Sequence, residues 1–315
     1  MTAMLRKLRE REWIWAALGA GIMFVILSAV SGRFEWGSAA ANITVAGYLT
    51  ICALGQMTVM TTGRGAFDLS LPNMITLSAF LTMGLTNGNN LMFIPVLVLV
   101  LIIGAMVGLL NSFLVVRLRI TSMIATLGVG YMLSTLTSIY NRSFNVMKVS
   151  SIMQTLSRYR VLELPLITWF VLLLVAAMTL LLKRSTYGRS LHALGQNRKA
   201  AMLAGIRVDR VETIAYVLGA MLAALCGFFL SGRIGGAFLG MGDSYLLDTV
   251  GAAVIGGTLA AGGRSSSIGT FFGALFLSIV VTTMQVANMS VGVQNIIKGA
   301  IIVSVLMASM RRQPS

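Results

Sequence analysis

The sequence predicts an all-α polytopic membrane protein with about ten transmembrane helices. Hydrophobic residues fill 57% of its 315 positions and charged residues only 10%, where soluble domains carry about 25% charged residues. The apolar residues gather in runs of span length, about 20 residues for a helix crossing a ~30 Å hydrocarbon core. Short polar segments rich in arginine, lysine, glycine or asparagine separate these runs. One transmembrane domain over residues 1–315 follows, rather than the two soluble domains that length alone would suggest.

Trp13–Val30 is the first span. Arg6, Lys7, Arg9 and Arg11 precede it as in a secretion signal, but the apolar run exceeds the roughly 7–15 residues of such signals, so it is expected to be retained. Ile43–Met60 is the second span and ends in the turn-rich segment Thr61–Pro72. Leu71–Leu85 is a short third span with Pro72 in its first turn, where proline is favourable. Asn87–Asn90 turns the chain into Met92–Val116, and Arg117 and Arg119 separate that span from Ile120–Tyr140. A polar loop over 141–163 leads to the sixth span, Leu164–Leu182. After the basic segment 183–212 come Thr213–Leu230, the glycine-rich stretch Gly232–Ser244, and Tyr245–Ala261, which Gly256 and Gly257 interrupt. Ile268–Ala287 and a last span within Val291–Met310 complete the set.

Ten spans with the N-terminus inside put seventeen basic residues on the cytoplasmic side: Arg6 to Arg11, Arg64, Arg117, Arg119, the seven of 183–212, Arg264, Arg311 and Arg312. Six lie outside: Arg33, Arg142, Lys148, Arg158, Arg160 and Arg233. Lysine and arginine concentrate on the cytoplasmic side of membrane proteins. Segment 183–212 is therefore expected in the cytoplasm, with both termini, and loop 141–163 on the opposite face. Lys298 is left within a span, at a cost of about 2.5–3.5 kcal/mol if it faced lipid at mid-membrane. It is expected to snorkel or to sit on a short surface helix.

The formal charge of +15 does not point to nucleic acid, because the basic residues sit between apolar runs without interleaved aromatics. Surrounding lipid is the expected partner of the spans. Cys52 and Cys226 are isolated in apolar runs and read as core packing. His192, the only histidine, has no ligand cluster around it in sequence, and the twenty-one methionines read as adaptable packing, so no metal site is expected. No phosphate loop ending in Gly-Lys-Ser/Thr is present. Asp68, Asp243 and Asp248 stand at span ends or breaks, which weakens an ion-coupled carrier. No paired carboxylates suggest an enzyme. Energy for pumping would have to enter through another subunit, and 183–212 is the place to receive it.

A faint internal repeat matches Gly104–Val116 with Gly269–Val281, and Gly63–Phe67 with Gly232–Phe238. Shared small-residue packing would produce the first match as well. An offset of five spans would invert the second half, giving two inverted five-helix repeats with a substrate site at their junction.

Within 183–212, Ser190–Gly205 can form one or two short helices. Thr186, Gly188, Arg189, Ala193, Gly195, Asn197, Ala200, Ala201, Gly205 and Ile206 there resemble the ATPase-facing segment of permeases of ribose-type ABC importers. Three further stretches agree in order: Gly55-Gln56 leading to Asp68-Leu69-Ser70; Asn111 followed by Thr126-Leu127-Gly128; and Leu247-Asp248 followed by Ala252–Thr258 and Gly262-Gly263-Arg264. Departures are Arg64 between Gly63 and Gly65, Leu71-Pro72 after Ser70, Thr121 after Ile120, and Thr282–Gln285 in place of an asparagine-rich segment.

The resemblance implies a non-catalytic permease of the bacterial inner membrane, paired with a second copy or a related permease. It implies ATP-binding subunits on the cytoplasmic side, which would use the ATP and magnesium, and a periplasmic binding protein that delivers a monosaccharide. Nucleosides and branched-chain amino acids are the alternative cargoes. Coupling to the ATPase would fall to Gly188, Arg189, Gly195, Asn197, Ala200, Ala201 and Gly205. A sugar requires hydrogen-bonding side chains beside apolar or aromatic faces, which Phe67, Asp68, Ser70, Asn73, Asn111, Thr126 and Gln285 could supply. Asp68 and Ser70 equally suit capping of the third span, and Asp248 a cap or a helix-terminus pair.

Overall fold

The computed structural model describes residues 13–32, 34–142 and 148–310. The basic residues Arg6 to Arg11, Arg33, Arg311 and Arg312 used in the charge count lie outside them. The chain is helical nearly throughout: α1 Trp13–Ser31, α2 Trp36–Thr61, α3 Leu71–Thr86, α4 Phe93–Ser112 and α5 Ser122–Asn141. After a short helix, α6 (Ser151–Arg158), and the hairpin of β1 (Arg160–Val161) and β2 (Leu164–Pro165), the chain enters α7 Leu166–Arg184. Two short helices, α8 Thr186–Gln196 and α9 Arg198–Leu203, precede α10 Val208–Ile234, α11 Tyr245–Ile255, α12 Ser267–Val286 and α13 Val291–Met310. Seven of these are long and apolar enough to cross a membrane, and α3, α11 and the stretch Val291–Met307 of α13 are shorter apolar helices in the places of the expected third, eighth and tenth spans. The protein is a helical polytopic membrane protein.

Helix α11 ends at Ile255, six residues before the expected Ala261, and two helices start well before their expected positions. Helix α2 begins at Trp36, seven residues before Ile43. Asn42 does not break it, because its amide donates to Ser38 O (2.9 Å) and its Oδ1 accepts from Thr282 on α12 (2.8 Å). Helix α10 begins at Val208, so Asp209 and Glu212 belong to its start rather than to a loop. An acidic first turn is favourable there, where free amides leave partial positive charge.

The bundle is built around α2 and α10. Of the most apolar stretch of α2, 89% of residues are buried, against 17% for α1. Helix α10 packs on α2, α3 and α4, while α12 packs on α1, α2 and α11. Small residues permit the close crossings, as in membrane bundles generally. A Cβ at Gly55 would lie 2.8 Å from the Gly219 carbonyl oxygen, so α2 and α10 touch backbone to backbone. Both cysteines are free and buried in this core.

The pairings echo the sequence repeat. Shifting α2, α3, α4 and α5 onto α10, α11, α12 and α13 converts the contacts α10–α3, α4–α10 and α3–α5 into α2–α11, α12–α2 and α11–α13, all of which occur. The outer helices do not follow: α1 packs on α12, whereas α7 packs on α2 instead of α4. The correspondence therefore covers four helices of each half.

Helices α3 and α11 span roughly 24 Å and 16 Å at 1.5 Å per residue, less than the hydrocarbon core. Non-helical chain completes their paths at 62–70 and 256–266. Such backbone is tolerated at membrane depth only where protein covers it, and Ala66, Asp68, Ser70 and Thr258 are buried. Lys298 on α13 does not snorkel: its Nζ lies 3.2 Å from Asp248 Oδ1 on α11. The expected terminus pair of Asp248 thus exists, and it joins two helices.

Candidate coupling and translocation site

Segment 183–212 folds as two capped helices because its hydroxyl and amide residues stand at the starts. Ser185 Oγ accepts from Gly188 N–H (3.0 Å) to open α8, and Asn197 Oδ1 accepts from Ala200 N–H (3.0 Å) to open α9. Leu191 and Leu194 turn inward, as does Ala201. Gly188 sits against the carbonyls of Leu181 and Leu182, where a side chain would overlap backbone. Gly205, with φ +79°, turns the chain toward α10 with no atom near its missing Cβ.

Gly195 occupies a junction of three segments. A Cβ there would overlap the Thr61 carbonyl oxygen at the end of α2 and the Gly263 amide before α12. The same two groups bond to each other, Gly263 N–H donating to Thr61 O at 3.0 Å. Gln196 Nε2 donates to Gly263 O (3.4 Å), and His192 Nε2 lies 3.1 Å from Ser265 Oγ. Burial holds the His192 imidazole below its usual pKa, so it is neutral at pH 7. Helix α9 is tied to α10 by Arg198, which pairs with Asp209 (2.9 Å) and with Glu212. One face of the segment is thus fastened to the ends of α2, α10 and the 256–266 connection. The other shows Arg189, Asn197, Ala200, Met202, Leu203 and Gly205 to solvent, with Leu203 91% exposed.

Beyond Gly63, residues 67–70 are held in a buried polar network. Asp68 Oδ1 accepts from Ser70 N–H (2.9 Å) and Ser70 Oγ (2.6 Å), closing the expected turn before α3. From α4, Asn111 Nδ2 reaches Asp68 Oδ2 (3.2 Å) and Ser70 Oγ (2.8 Å). From α5, Thr126 Oγ1 accepts from Leu69 N–H (2.9 Å), and Ser122 Oγ donates to Phe67 O (2.6 Å). Tyr216 on α10 donates to Ser122 Oγ (2.8 Å), and Asp68 N–H reaches Gln56 Oε1 on α2 (3.3 Å). Buried polar groups are held this way because an unpaired one costs several kcal/mol. Gln56 Nε2 and Asn111 Oδ1 have no hydrogen-bond partner among the described residues.

Of the seven residues expected along a pathway, the structure brings Asp68, Ser70, Asn111 and Thr126 together, all buried. Phe67 and Asn73 are partly exposed beside them, with the Asn73 amide against Gly130 of α5. Gln285 stands apart, exposed at the end of α12. The network also uses Gln56, Ser122 and Tyr216. Gln56 was visible beside Gly55 in the quoted motif, whereas nothing in the sequence marks Ser122 or Tyr216. A cavity of about 600 Å³ adjoins the network, lined by Gly63–Ala66, Arg119–Ser122, and Arg198 and Met202 of α9. Arg64 and Arg119, at φ +60° and +58°, both face it.

Asn111→Leu removes the amide that bridges Asp68 and Ser70. Hydrogen bonds to charged groups contribute about 1.5–3 kcal/mol, so the variant should lose stability on that order and melt measurably earlier in detergent. Thr135→Val, on the exposed face of α5, should leave melting unchanged. Equal melting of both variants would mean that the network does not hold residues 67–70.

Comparison with known proteins meets this geometry. The family model described as branched-chain amino acid transport system / permease component matches residues 38–306. The ribose import permease of Bacillus subtilis is 30% identical, over 83% of this chain and 81% of that protein. The ribose import permease of Escherichia coli is 28% identical, over 84% and 82%. The autoinducer 2 import system permease of Photorhabdus luminescens is 27% identical, over 96% and 91%. No solved structure matches. A helical membrane bundle with two short helices fastened to its helix breaks, matched over most of its length by this model, belongs to the permease-component family of ABC import systems.

Proposed function

We propose that this chain forms the translocation path of an ATP-driven importer for a monosaccharide, with α8 and α9 as the docking site of a separate ATPase subunit. The segment 183–212 then lies in the cytoplasm and loop 141–163 in the periplasm, in the inner membrane, with both termini inside. A second permease copy or a related permease completes the path, and a periplasmic binding protein delivers the cargo. The relatives named for ribose and autoinducer 2 import favour a small polar cargo. Phe67, Asn73 and Gln285 are the pathway residues that can reach it without disturbing the buried network.

The observation that carries this reading is the two-sided build of α8 and α9. Met202 and Leu203 stand exposed in a polar segment, where an apolar pair marks a contact surface for another protein. Behind them, Gly195 and Arg198 are fixed to α2, α10 and the connection before α12. Closure of an ATPase pair would displace α8 and α9, and the junction would pass that movement to Gly63–Ser70 and 256–266. These are the segments where helices are broken and the backbone can change course.

Leu203→Asp and Ala200→Glu test it, since both positions are exposed on helical backbone; Ala201 is buried and Gly205 sits at positive φ, so substitutions there would report folding instead. In proteoliposomes with the ATPase and binding protein, each variant should insert normally, lose ATPase association and abolish ATP-dependent ribose uptake. Normal association and uptake in both would remove α9 as the docking site. Uptake of another cargo in place of ribose, with α9 still required, would overturn only the monosaccharide assignment.

A further inference from the structure

A second feature lies on the outer surface of the bundle, where α4 ends and α10 begins. Helix α4 does not stop at Ser112; its last turn, Phe113–Arg117, is a wider π turn. Insertions of this kind in a helix often accompany function. The turn opens a groove of about 690 Å³ against α10, bottomed by Ser112 Oγ and Thr213 Oγ1, 2.6 Å apart. The groove has two zones. Toward the membrane interior run exposed Leu109, Phe113 and Ile214. At the rim stand Arg117, Arg119 and Arg210, all exposed.

None of these three arginines has an ion-pair partner among the described residues. Asp209, the one acid that lines the groove, is already engaged with Arg198. Arg119 is held at φ +58°, a backbone region that costs a non-glycine residue energy unless its surroundings impose it. Three unpaired cations above an apolar slot match the two halves of an anionic phospholipid. Its phosphate would meet the guanidinium groups, and one acyl chain would lie along Leu109 and Phe113. Basic pockets between transmembrane helices at the cytoplasmic boundary bind such headgroups.

We infer that the groove between the π turn of α4 and the start of α10 is a binding site for one anionic phospholipid, held by Arg117, Arg119 and Arg210. Its leaflet, the cytoplasmic one, rests on the topology proposed above; the binding chemistry does not. Arg119 also lines the cavity beside Gly63–Ala66, so an occupied groove would restrain the residue that separates the lipid from the broken end of α2.

The test is lipid retention by the full-length permease in detergent, read by native mass spectrometry, with dioleoyl phosphatidylglycerol against the phosphatidylcholine of the same chains. Wild type should retain one phosphatidylglycerol per chain in preference to phosphatidylcholine. Arg117→Gln/Arg210→Gln should weaken that retention by about tenfold or more, since each basic residue near an anionic headgroup adds appreciably to binding. Arg119→Asn keeps a residue that accepts positive φ and should weaken it separately, so the inference stays testable if the double variant fails to fold. No preference in wild type, or unchanged retention in the variants, overturns the inference. Displacement by millimolar inorganic phosphate would show a small-anion site and overturn it also. Loss of the second permease or of the ATPase, with lipid retention intact, would make the groove a protein contact and overturn it equally. Leu203→Asp should retain lipid normally, which separates failure here from failure of the docking reading.

Discussion

Gly195→Ala is expected to cut ATP-driven uptake tenfold or more while leaving a permease that still inserts into the membrane. The added methyl would overlap the Thr61 carbonyl and the Gly263 amide, both backbone atoms, and so nothing flexible can yield. Relief requires α8 to lift away from the ends of α2 and the 256–266 connection, or the Gly263 N–H to Thr61 O bond to open. Overpacking of this kind costs about 1–3 kcal/mol, a modest loss against the burial that holds α2 and α10 in place. The bundle should survive and the junction should not. The measurement is a pair: ATPase activity of the assembled complex, and uptake per ATP hydrolysed. Hydrolysis should persist, with uptake down tenfold or more. Gly128→Ala is the control, because no atom lies near its missing Cβ and the position is exposed. Full uptake by Gly195→Ala would show that movement reaches the helix breaks by another route, such as Arg198 and α10.

That expectation could not have come from the sequence. Gly195 and Gly205 look alike there, two glycines of one motif, yet the first is locked between backbones and the second is open to solvent. Glycine records that a side chain is absent and does not record what approaches. Composition and hydropathy were enough for the ten apolar segments, because a span must be continuous and apolar wherever it packs. Segment ends were less legible. Asn42 looked like a boundary, but α12 supplies a partner from 240 residues away. Segment 183–212 was legible as one or two short helices, but α8 starts at Thr186, four residues before the expected Ser190, because Ser185 caps it locally. Asp68, Ser70, Asn111 and Thr126 could be gathered by motif, while their burial could not. Leu203 read with Leu191, Leu194 and Ala201 as part of an apolar face, and its outward position, unlike theirs, has no signature until the helix is placed.

The pair Lys298–Asp248 gives the other large effect. Neither charge is free to reach water easily: the side chains are 12% and 15% exposed, on α13 and on the short helix α11. Removing one partner leaves an uncompensated charge, which costs about 3–5 kcal/mol, whereas replacing both by apolar groups is often neutral or better. Lys298→Met should therefore sharply lower thermal stability in detergent, and Asp248→Leu should do the same. The double variant Asp248→Leu/Lys298→Met should recover most of the loss. Recovery of stability together with uptake would assign the pair a purely structural part, fixing α13 against the half-length helix that precedes the 256–266 connection. Recovery of stability without uptake would mean that the pair breaks and reforms as α11 moves, because an apolar replacement holds one packing and cannot exchange partners. Additive losses in the double variant would instead show that the two charges act separately, despite the 3.2 Å between them.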